Sequence, residues 1–258
     1  MPSESKSRVI VATRGPVASV QLTNPPLNVI DIPMMHELTK GLAEIESRPD
    51  ISVIIFEGDS RAFSAGVDIK AHLPHQVQEM LTSFHSVIRT IVASRKITIA
   101  AVRGACLGGG AELAAVCDLV YTARDATWGF PEIKLGCYPP VAAVALPALV
   151  GQKRACELIL TGRQISGDEA VAIGLASRSV VAEELNTSVQ ETVAQIQALS
   201  PSALALAKKS IYAWDAIHFD KGLARAEKIY LEELIQTEDA REGIAAFLEK
   251  RPPQWTGR

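Results

Sequence analysis

Two glutamates stand in segments that a hydrophobic core alone does not require. Glu112 follows three consecutive glycines in RGACLGGGAELAAVCD (103–118), and Glu132 follows a proline in WGFPEIKLGCYPP (128–140). They are 132 − 112 = 20 residues apart, too far to share one helix face, but a fold can bring them together. Two carboxyl groups facing one cavity suit general acid–base chemistry, because one can take a proton from water while the other delivers a proton to carbon.

Both glutamates also have a structural explanation. In the first turn of a helix, Glu112 would stabilise the helix dipole without any chemistry. Glu132 stands beside Phe130 and Ile133, where a carboxylate that is buried without a partner is costly. Glu132 is therefore expected either at the surface or in a site that raises its pKa.

Two loop segments are further candidates. Glycines 108–110 make sense where another chain or a ligand approaches the backbone closely. Just before a helix, they leave N–H groups free to bind an anion or a developing oxyanion. FSAGVDIK (63–70) is by itself an ordinary loop between a strand and a helix, and Ser64 lacks the G-x-S-x-G context of a nucleophile.

Alternating strands and helices must position these segments. Residues 8–22 predict a hairpin that turns at Arg14-Gly15-Pro16, and helical spacing covers 33–47 and 75–94. Short apolar runs predict buried strands at 51–58, 96–104 and 118–123. This order favours βαβ crossovers and a mostly parallel sheet.

Beyond residue 141 the pattern becomes almost entirely helical. Ser166 and Glu169 form a capping box, and Pro201 marks a further helix start. Helical spacing covers 141–161, 166–173, about 182–198, 201–214, 219–236 and 238–249. Because no internal repeat or flexible linker separates them, these helices are expected to pack on the sheet or on a neighbouring subunit.

The composition excludes several classes of protein. The 258 residues are 48% hydrophobic and 21% charged, which is typical of a globular chain, and the net charge is −3. This balance offers no broad basic face, so neither a nucleic acid nor a membrane is expected as a partner. The four cysteines contain no C-x-x-C pair, and no leader or membrane-spanning run is visible. We therefore expect a soluble protein of a reducing compartment, the cytoplasm.

No metal or nucleotide site is expected. His72 and His75 form a short H-x-x-H pair without further ligands nearby, which favours ordinary surface or loop histidines. Neither G-x-G-x-x-G after a strand nor G-x-x-x-x-G-K-[ST] occurs, so Rossmann and Walker A phosphate sites are not supported. The cysteines are expected to be small buried side chains.

Four motifs in order resemble the crotonase family of enoyl-CoA hydratases and isomerases. They are FSAGVDIK (63–70), AAVRGACLGGGAELAAVCD (100–118), FPEIKLG (130–136) and REGIAAFLEKR (241–251). The resemblance covers almost the whole chain and implies an α/β fold: a spiral of ββα units over 1–200 and a helical C-terminal region, 201–258, that mediates trimer formation. It also implies a homohexamer built as a dimer of trimers.

The resemblance implies a role for each matching residue. The backbone N–H groups of Val67 and Gly109 would form an oxyanion hole for a thioester carbonyl. Glu112 and Glu132 match the two glutamates of the hydratases. Isomerases of the family often lack one of them, so both together favour addition or removal of water. Neither can be assigned as acid or base, because interacting carboxyl groups titrate as a pair.

Coenzyme A, as part of the substrate thioester, is the group that the resemblance implies. The Ala65 carbonyl would receive the adenine amino group, with Asp68, Ile69 and Asn28 nearby. Lys250 matches a basic residue that reaches a CoA phosphate, often from an adjacent subunit. No metal, flavin or nicotinamide cofactor is implied.

One departure from the family concerns the acyl pocket. Hydratases typically carry a glycine-rich run where this chain reads CYPPVAAVALP (137–147), and Pro140 has no N–H to offer. PEIKLGCYPP together with NPPLNVIDIPMM is most similar to hydratases of cyclic dienoyl-CoA compounds. We therefore expect a hydratase of a compound such as cyclohexa-1,5-diene-1-carbonyl-CoA, with Pro139, Pro140 and 141–146 as a pocket wall. A straight-chain enoyl-CoA hydratase, an isomerase and a non-enzymatic RNA-binding or scaffold relative stay open.

Overall fold

The apolar runs of the sequence form a six-stranded sheet in the computed structural model, which describes residues 7–212 and 216–258. In spatial order the strands are β1 (Val9–Arg14), β2 (Val17–Leu22), β3 (Val53–Glu57), β5 (Ile97–Val102), β7 (Leu119–Ala123) and β10 (Arg178–Val180). β1 and β2 form an antiparallel hairpin, and each later neighbour pairs in parallel. The predicted hairpin and mostly parallel sheet are confirmed.

A second sheet consists of very short strands. They are β4 (Ala62–Ser64), β6 (Ala105–Leu107), β8 (Thr127–Gly129) and β9 (Gln164–Ser166). The first three run parallel to one another, and β9 pairs antiparallel with β8. A strand of three residues shows no periodicity, so the sequence did not predict this sheet. In three successive turns, β3, β5 and β7 join the large sheet, β4, β6 and β8 join the small one, and a helix follows each pair, which confirms the expected spiral of ββα units.

Helices occupy most of the remaining chain. They are α1 (Ile32–Glu46), α2 (Val77–Ala93), α3 (Gly109–Ala115), α4 (Pro140–Val150), α5 (Gln152–Thr161), α6 (Gly167–Ala172), α7 (Leu185–Gln197), α8 (Pro201–Tyr212), α9 (Ala216–Glu232) and α10 (Glu238–Leu248). Short 3-10 helices cover Ile69–His72, Pro131–Leu135, Ala182–Glu184 and Leu234–Gln236. The single helix expected over 141–161 is two helices, because Gly151 turns the chain between them with φ +80°. Residues 213–214 of the helix expected over 201–214 lie outside the described residues.

Capping side chains set the starts of two helices. At α1, Asp31 Oδ1 accepts a hydrogen bond from the Met34 N–H at 2.9 Å, and Pro33 occupies the first turn. At α6, Ser166 Oγ accepts one from the Glu169 N–H at 3.1 Å. Both helices therefore begin where the local sequence signals place them.

Strand β3 is buried on both faces. Val53 and Ile55 belong to a smaller hydrophobic cluster that includes residues of α7, whereas Ile54 and Phe56 belong to the main core that includes α1 and α2. A strand covered on both sides needs an uninterrupted apolar run, which is the pattern seen over residues 51–58.

The C-terminal helices pack on the rest of the chain. Helix α9 packs against α2 and α4, and α10 packs against the 3-10 helix Pro131–Leu135. A Cβ added to Gly243 of α10 would lie 2.2 Å from the Leu135 carbonyl oxygen, so the two backbones are in direct contact. The division into domains at residue 200 stays a prediction. None of the helices in the described ranges combines the length and apolar character that a membrane span requires.

We predict that Gly243→Ala destabilises the fold, because the new Cβ would clash with the Leu135 carbonyl, and backbone atoms cannot move away as the end of a flexible side chain can. Overpacking of this kind costs about 1–3 kcal/mol of unfolding free energy. Gly41→Ala is the matched control in α1, since its Cβ would meet only the flexible Val11 Cγ2, at 3.0 Å. Urea unfolding should show the larger loss for Gly243→Ala; equal losses would contradict the backbone contact.

Candidate active site

The carboxyl ends of β4, β6 and β8 lie at one edge of the small sheet. The parallel pairing of these strands brings together the three segments that follow them, Ala65–Asp68, Gly108–Gly110 and Phe130–Glu132. Loops at the carboxyl ends of parallel strands are a common place for ligand sites in α/β folds. Here they open into a cavity of about 90 Å³. The cavity is lined by Ala65, Gly66, Val67, Ile69, His72, Met80, Leu81, Phe84, His85, Gly108, Gly109, Glu112, Pro131, Glu132, Leu135, Cys137, Tyr138, Pro139, Pro140 and Tyr230.

Two backbone N–H groups are adjacent on the cavity wall. A Cβ added to Gly109 would lie 2.6 Å from Val67 Cγ2 and 3.4 Å from Val67 N, so the two residues are in close contact. Within the described chain, neither the Val67 nor the Gly109 N–H donates a hydrogen bond to a protein acceptor. The structure therefore brings the two predicted oxyanion-hole residues together with their donors free.

Hydrogen bonds fix the loop that carries Val67. The Gly66 N–H donates to Ser64 Oγ at 3.1 Å, and the Gly66 carbonyl accepts from the Ile30 N–H at 2.9 Å. Gly66 adopts φ +104°, a conformation that favours glycine. The loop is thus held rigidly, which is what preorganised hydrogen-bond donors require.

Glu112 lies in the first turn of α3 and is only 3% exposed. Its Oε1 accepts a hydrogen bond from the Ala142 N–H at 2.9 Å, at the start of α4. Burial raises the pKa of Glu112 to about 7, although the N–H groups of Ala142 and Val141 act in the opposite direction. Glu112 can therefore exist with or without its proton near neutral pH.

Glu132 is carried by the 3-10 helix Pro131–Leu135, and its Oε1 lies against Gly108. A Cβ on Gly108 would be 2.7 Å from that oxygen, so the absence of a side chain makes room for the carboxyl group. Glu132 Oε2 is buried and has no protein partner among the described residues. Burial, and secondly the charge of Glu112, raise the pKa of Glu132 well above its usual range.

The two carboxyl groups therefore form a coupled pair that retains a proton near neutral pH. One protonated and one ionised carboxyl group provide a proton donor and a proton acceptor in the same cavity. This is the arrangement that general acid–base chemistry on a bound water needs.

The residues expected near CoA lie at different depths. Ala65 and Ile69 line the cavity, and Asp68 Oδ1 accepts a hydrogen bond from the Lys70 N–H at 3.1 Å. Asn28 is fully buried, and its Nδ2 donates to the Ala62 carbonyl at 2.9 Å. The Asn28 side chain thus bonds to strand β4, which leads into the loop, and it does not line the cavity.

Lys250, like Asn28 and Asp68, is an expected CoA residue that does not line the cavity of the single chain. It follows α10, is exposed, and does not belong to the cavity lining. A contact between Lys250 and CoA stays a prediction that requires a neighbouring subunit.

Sequence reasoning missed three polar residues of the cavity, His85, Tyr138 and Tyr230. The Tyr230 hydroxyl is buried without a protein partner among the described residues. His72 also lines the cavity, its ring 6.4 Å from that of Tyr230, whereas His75 is exposed. The sequence signal that could have revealed His85 is its position as a polar residue on the otherwise apolar buried face of α2.

The expected aliphatic wall differs from the observed one. Pro139 and Pro140 line the cavity, but 141–146 do not. Helix α4 turns Val141 and Leu146 into the hydrophobic core, while Val144 lines a separate cavity. The other apolar residues of the wall come from α2, with Met80, Leu81 and Phe84, and from the segments that contain Val67, Ile69, Pro131 and Leu135.

The cysteines and the other possible metal ligands are the remaining candidates for a site. All four cysteines are free; Cys106, Cys117 and Cys137 are buried as expected, whereas Cys156 is exposed. No three His, Cys, Asp or Glu side chains within residues 7–212 and 216–258 are grouped as a metal site.

The fold and the geometry of the cavity are those of an enzyme family, and the match is found along almost the whole chain. Residues 12–258 match the enoyl-CoA hydratase/isomerase family, and the chain belongs to that family. The protein is thus an enzyme of the enoyl-CoA hydratase type, a carbon–oxygen lyase, as the sequence predicts.

Relatives and solved structures agree with this assignment along the whole chain. A cyclohexa-1,5-dienecarbonyl-CoA hydratase from Thauera aromatica is 35% identical over 99% of both chains. A probable enoyl-CoA hydratase from Mycobacterium tuberculosis is 38% identical over 94% of this chain and 95% of the other. The crystal structure of an enoyl-CoA hydratase from Mycobacterium avium subsp. paratuberculosis matches with a TM-score of 0.88 at 26% identity, over 97% of this chain and 99% of the other.

The raised pKa of Glu112 predicts a pH-dependent stability. Between its ordinary value of 4.5 and about 7, the folded protein binds more protons than the unfolded chain. Stability is therefore lost as the pH rises through this window. Glu112→Gln removes the ionising group and keeps an oxygen for the Ala142 N–H. The variant should gain on the order of 1–3 kcal/mol over the wild type between about pH 5 and pH 8, measured by urea unfolding. The same pH dependence in both proteins would contradict the buried ionisation.

Proposed function

We propose that this enzyme adds water reversibly to an α,β-unsaturated acyl-CoA. The observation that carries the proposal is that Glu112 and Glu132 line one cavity beside the free N–H groups of Val67 and Gly109. A hydratase needs all of these groups, whereas a proton shuttle for isomerisation needs only one carboxylate. A scaffold has no chemical reason to bury two carboxyl groups together.

The reaction follows from the placement of the groups. The ionised carboxylate takes a proton from water, and the water oxygen forms a bond to the β-carbon. The electrons of the double bond move to the thioester oxygen, where the Val67 and Gly109 N–H groups stabilise the enolate. The protonated carboxyl group then delivers its proton to carbon, and the reverse sequence removes water.

The CoA portion would lie along the loop after β4. We place the adenine amino group at the Ala65 carbonyl, with Asp68 and Ile69 beside it, and give Asn28 the role of holding strand β4, which leads into that loop. The exposure of Lys250 outside its own cavity supports a phosphate contact to a neighbouring subunit. Such a contact fits a homohexamer built as a dimer of trimers, which light scattering tests.

A cyclic dienoyl-CoA such as cyclohexa-1,5-diene-1-carbonyl-CoA is the substrate that we propose. The similarity to the Thauera aromatica hydratase, which extends over almost the full length of both chains, supports it. Pro139 and Pro140 form a rigid part of the cavity wall, and Pro140 has no N–H with which to align an extended acyl chain. The straight-chain alternative is supported by the similarity of this chain to two probable enoyl-CoA hydratases, each 38% identical to it.

Replacing either carboxyl group should remove turnover and leave binding intact. We expect Glu112→Gln and Glu132→Gln each to lower kcat by about 10²- to 10⁴-fold, the typical effect of losing a general acid or base. The double variant should lose less than the product of the two, because the pair acts as a unit. Glu44→Gln on the exposed face of α1 is the control. Near-wild-type hydration by either single variant would remove that residue from the mechanism.

The choice of substrate is tested by comparing two thioesters on one preparation. We expect kcat/KM for cyclohexa-1,5-diene-1-carbonyl-CoA to exceed that for crotonyl-CoA. Shape discrimination by an apolar wall is worth about 1–3 kcal/mol per methylene-sized difference, so the result is a preference and not complete exclusion. If crotonyl-CoA is the better substrate, the straight-chain reading replaces the cyclic one.

A further inference from the structure

A histidine and a glutamate that are far apart in sequence form a pair at the cavity wall. His85 of α2 is fully buried and lines the cavity. Its Nδ1 is 2.6 Å from Oε1 of Glu227 on α9. The glutamate itself does not belong to the cavity lining. The imidazole thus lies between the cavity and a carboxylate behind it.

The surroundings of Glu227 keep it ionised. Arg89 donates to the same Oε1 at 2.9 Å and also pairs with Asp220 at 3.0 Å. Burial acts to raise the pKa of Glu227, but the contacts with His85 and Arg89 outweigh it and lower the pKa. A carboxylate only accepts hydrogen bonds, so the proton of the neutral imidazole lies on Nδ1. His85 Nε2 then carries a lone pair.

This Nε2 atom is buried and has no protein partner among the described residues. Burial also lowers the pKa of His85, which keeps the ring neutral. A buried polar atom without a partner is rare and costs free energy, so its retention calls for a reason. An apolar side chain would join α2 to α9 without that cost.

We propose that His85, held by Glu227, accepts a hydrogen bond through Nε2 from a hydroxyl group of the bound acyl chain. The ligand class is a hydroxyacyl thioester, which is the product of hydration, so the proposal rests on the function proposed above. Glu227 is a positioning residue, because it acts only through the imidazole. Together they make the cavity selective for a hydroxylated acyl group over its hydroxyl-free counterpart.

A pair of unreactive thioesters tests this selectivity at equilibrium. Hydroxypivaloyl-CoA carries a β-hydroxyl but has no hydrogen on its α-carbon, so it cannot lose water. Pivaloyl-CoA is the same compound without the hydroxyl. Calorimetric titration of the wild type should give an affinity about 3- to 10-fold higher for hydroxypivaloyl-CoA, the range expected of one neutral hydrogen bond.

Substitutions at His85 and Glu227 test whether the imidazole causes the preference for the hydroxylated thioester. His85→Asn keeps an N–H for Glu227 and removes the acceptor at Nε2, so it should bind both thioesters with the affinity that the wild type has for pivaloyl-CoA. Glu227→Gln, which keeps an oxygen for Nδ1, should retain most of the preference, and Glu227→Ala should lose it. Asp220→Asn is the control, because Asp220 contacts Arg89 on the exposed side of the network.

Two results would overturn the proposal. The first is equal affinity of the wild type for the two thioesters. The second is an unchanged preference in His85→Asn; if both thioesters then bind equally more weakly, the residue only joins two helices. Hydration of crotonyl-CoA and the cyclic diene is assayed on the same preparation. A protein that hydrates neither, yet shows the His85-dependent preference, overturns the proposed function and supports the role of His85.

Discussion

The backbone of Gly108–Gly110 lies so close to the neighbouring segments that no side chain fits between them. A Cβ on Gly110 would be 2.6 Å from the Ser64 carbonyl, and one on Gly109 would be 2.6 Å from Val67 Cγ2. This close approach follows from the parallel pairing of β4, β6 and β8. It sets two N–H donors side by side and leaves room for Glu132, so the geometry of the whole site depends on it.

This arrangement buries two carboxyl groups, and their hydrogen bonds offset the free-energy cost of that burial only in part. Glu112 accepts a hydrogen bond from the Ala142 N–H at the start of α4, whereas Glu132 Oε2 has no protein partner among the described residues. Because the stabilisation is incomplete, the pKa of both groups rises, and the pair keeps a proton near neutral pH. The incomplete stabilisation of the two charges therefore leaves one group able to donate a proton and the other able to accept one, as the proposed mechanism requires.

The C-terminal helices complete the cavity from outside the spiral. Helix α10 packs against the 3-10 helix that carries Glu132, and α9 supplies Tyr230 to the cavity and Glu227 to His85. Residues beyond 200 therefore position Glu132 and wall residues of the cavity in the same chain. A truncation in this region would alter the active site as well as any subunit contact.

Local patterns in the sequence determined the elements and the chemistry. The apolar run at 51–58 predicted a buried strand, the helical spacing over 33–47 predicted α1, and the motifs singled out Glu112 and Glu132. The tertiary structure alone decided the rest. The short strands of the second sheet are too brief for a periodic pattern, and the orientation of α4 turned 141–146 away from the cavity. His85 and Glu227 are 142 residues apart. Their contact is set by the packing of α2 against α9, which no local pattern records.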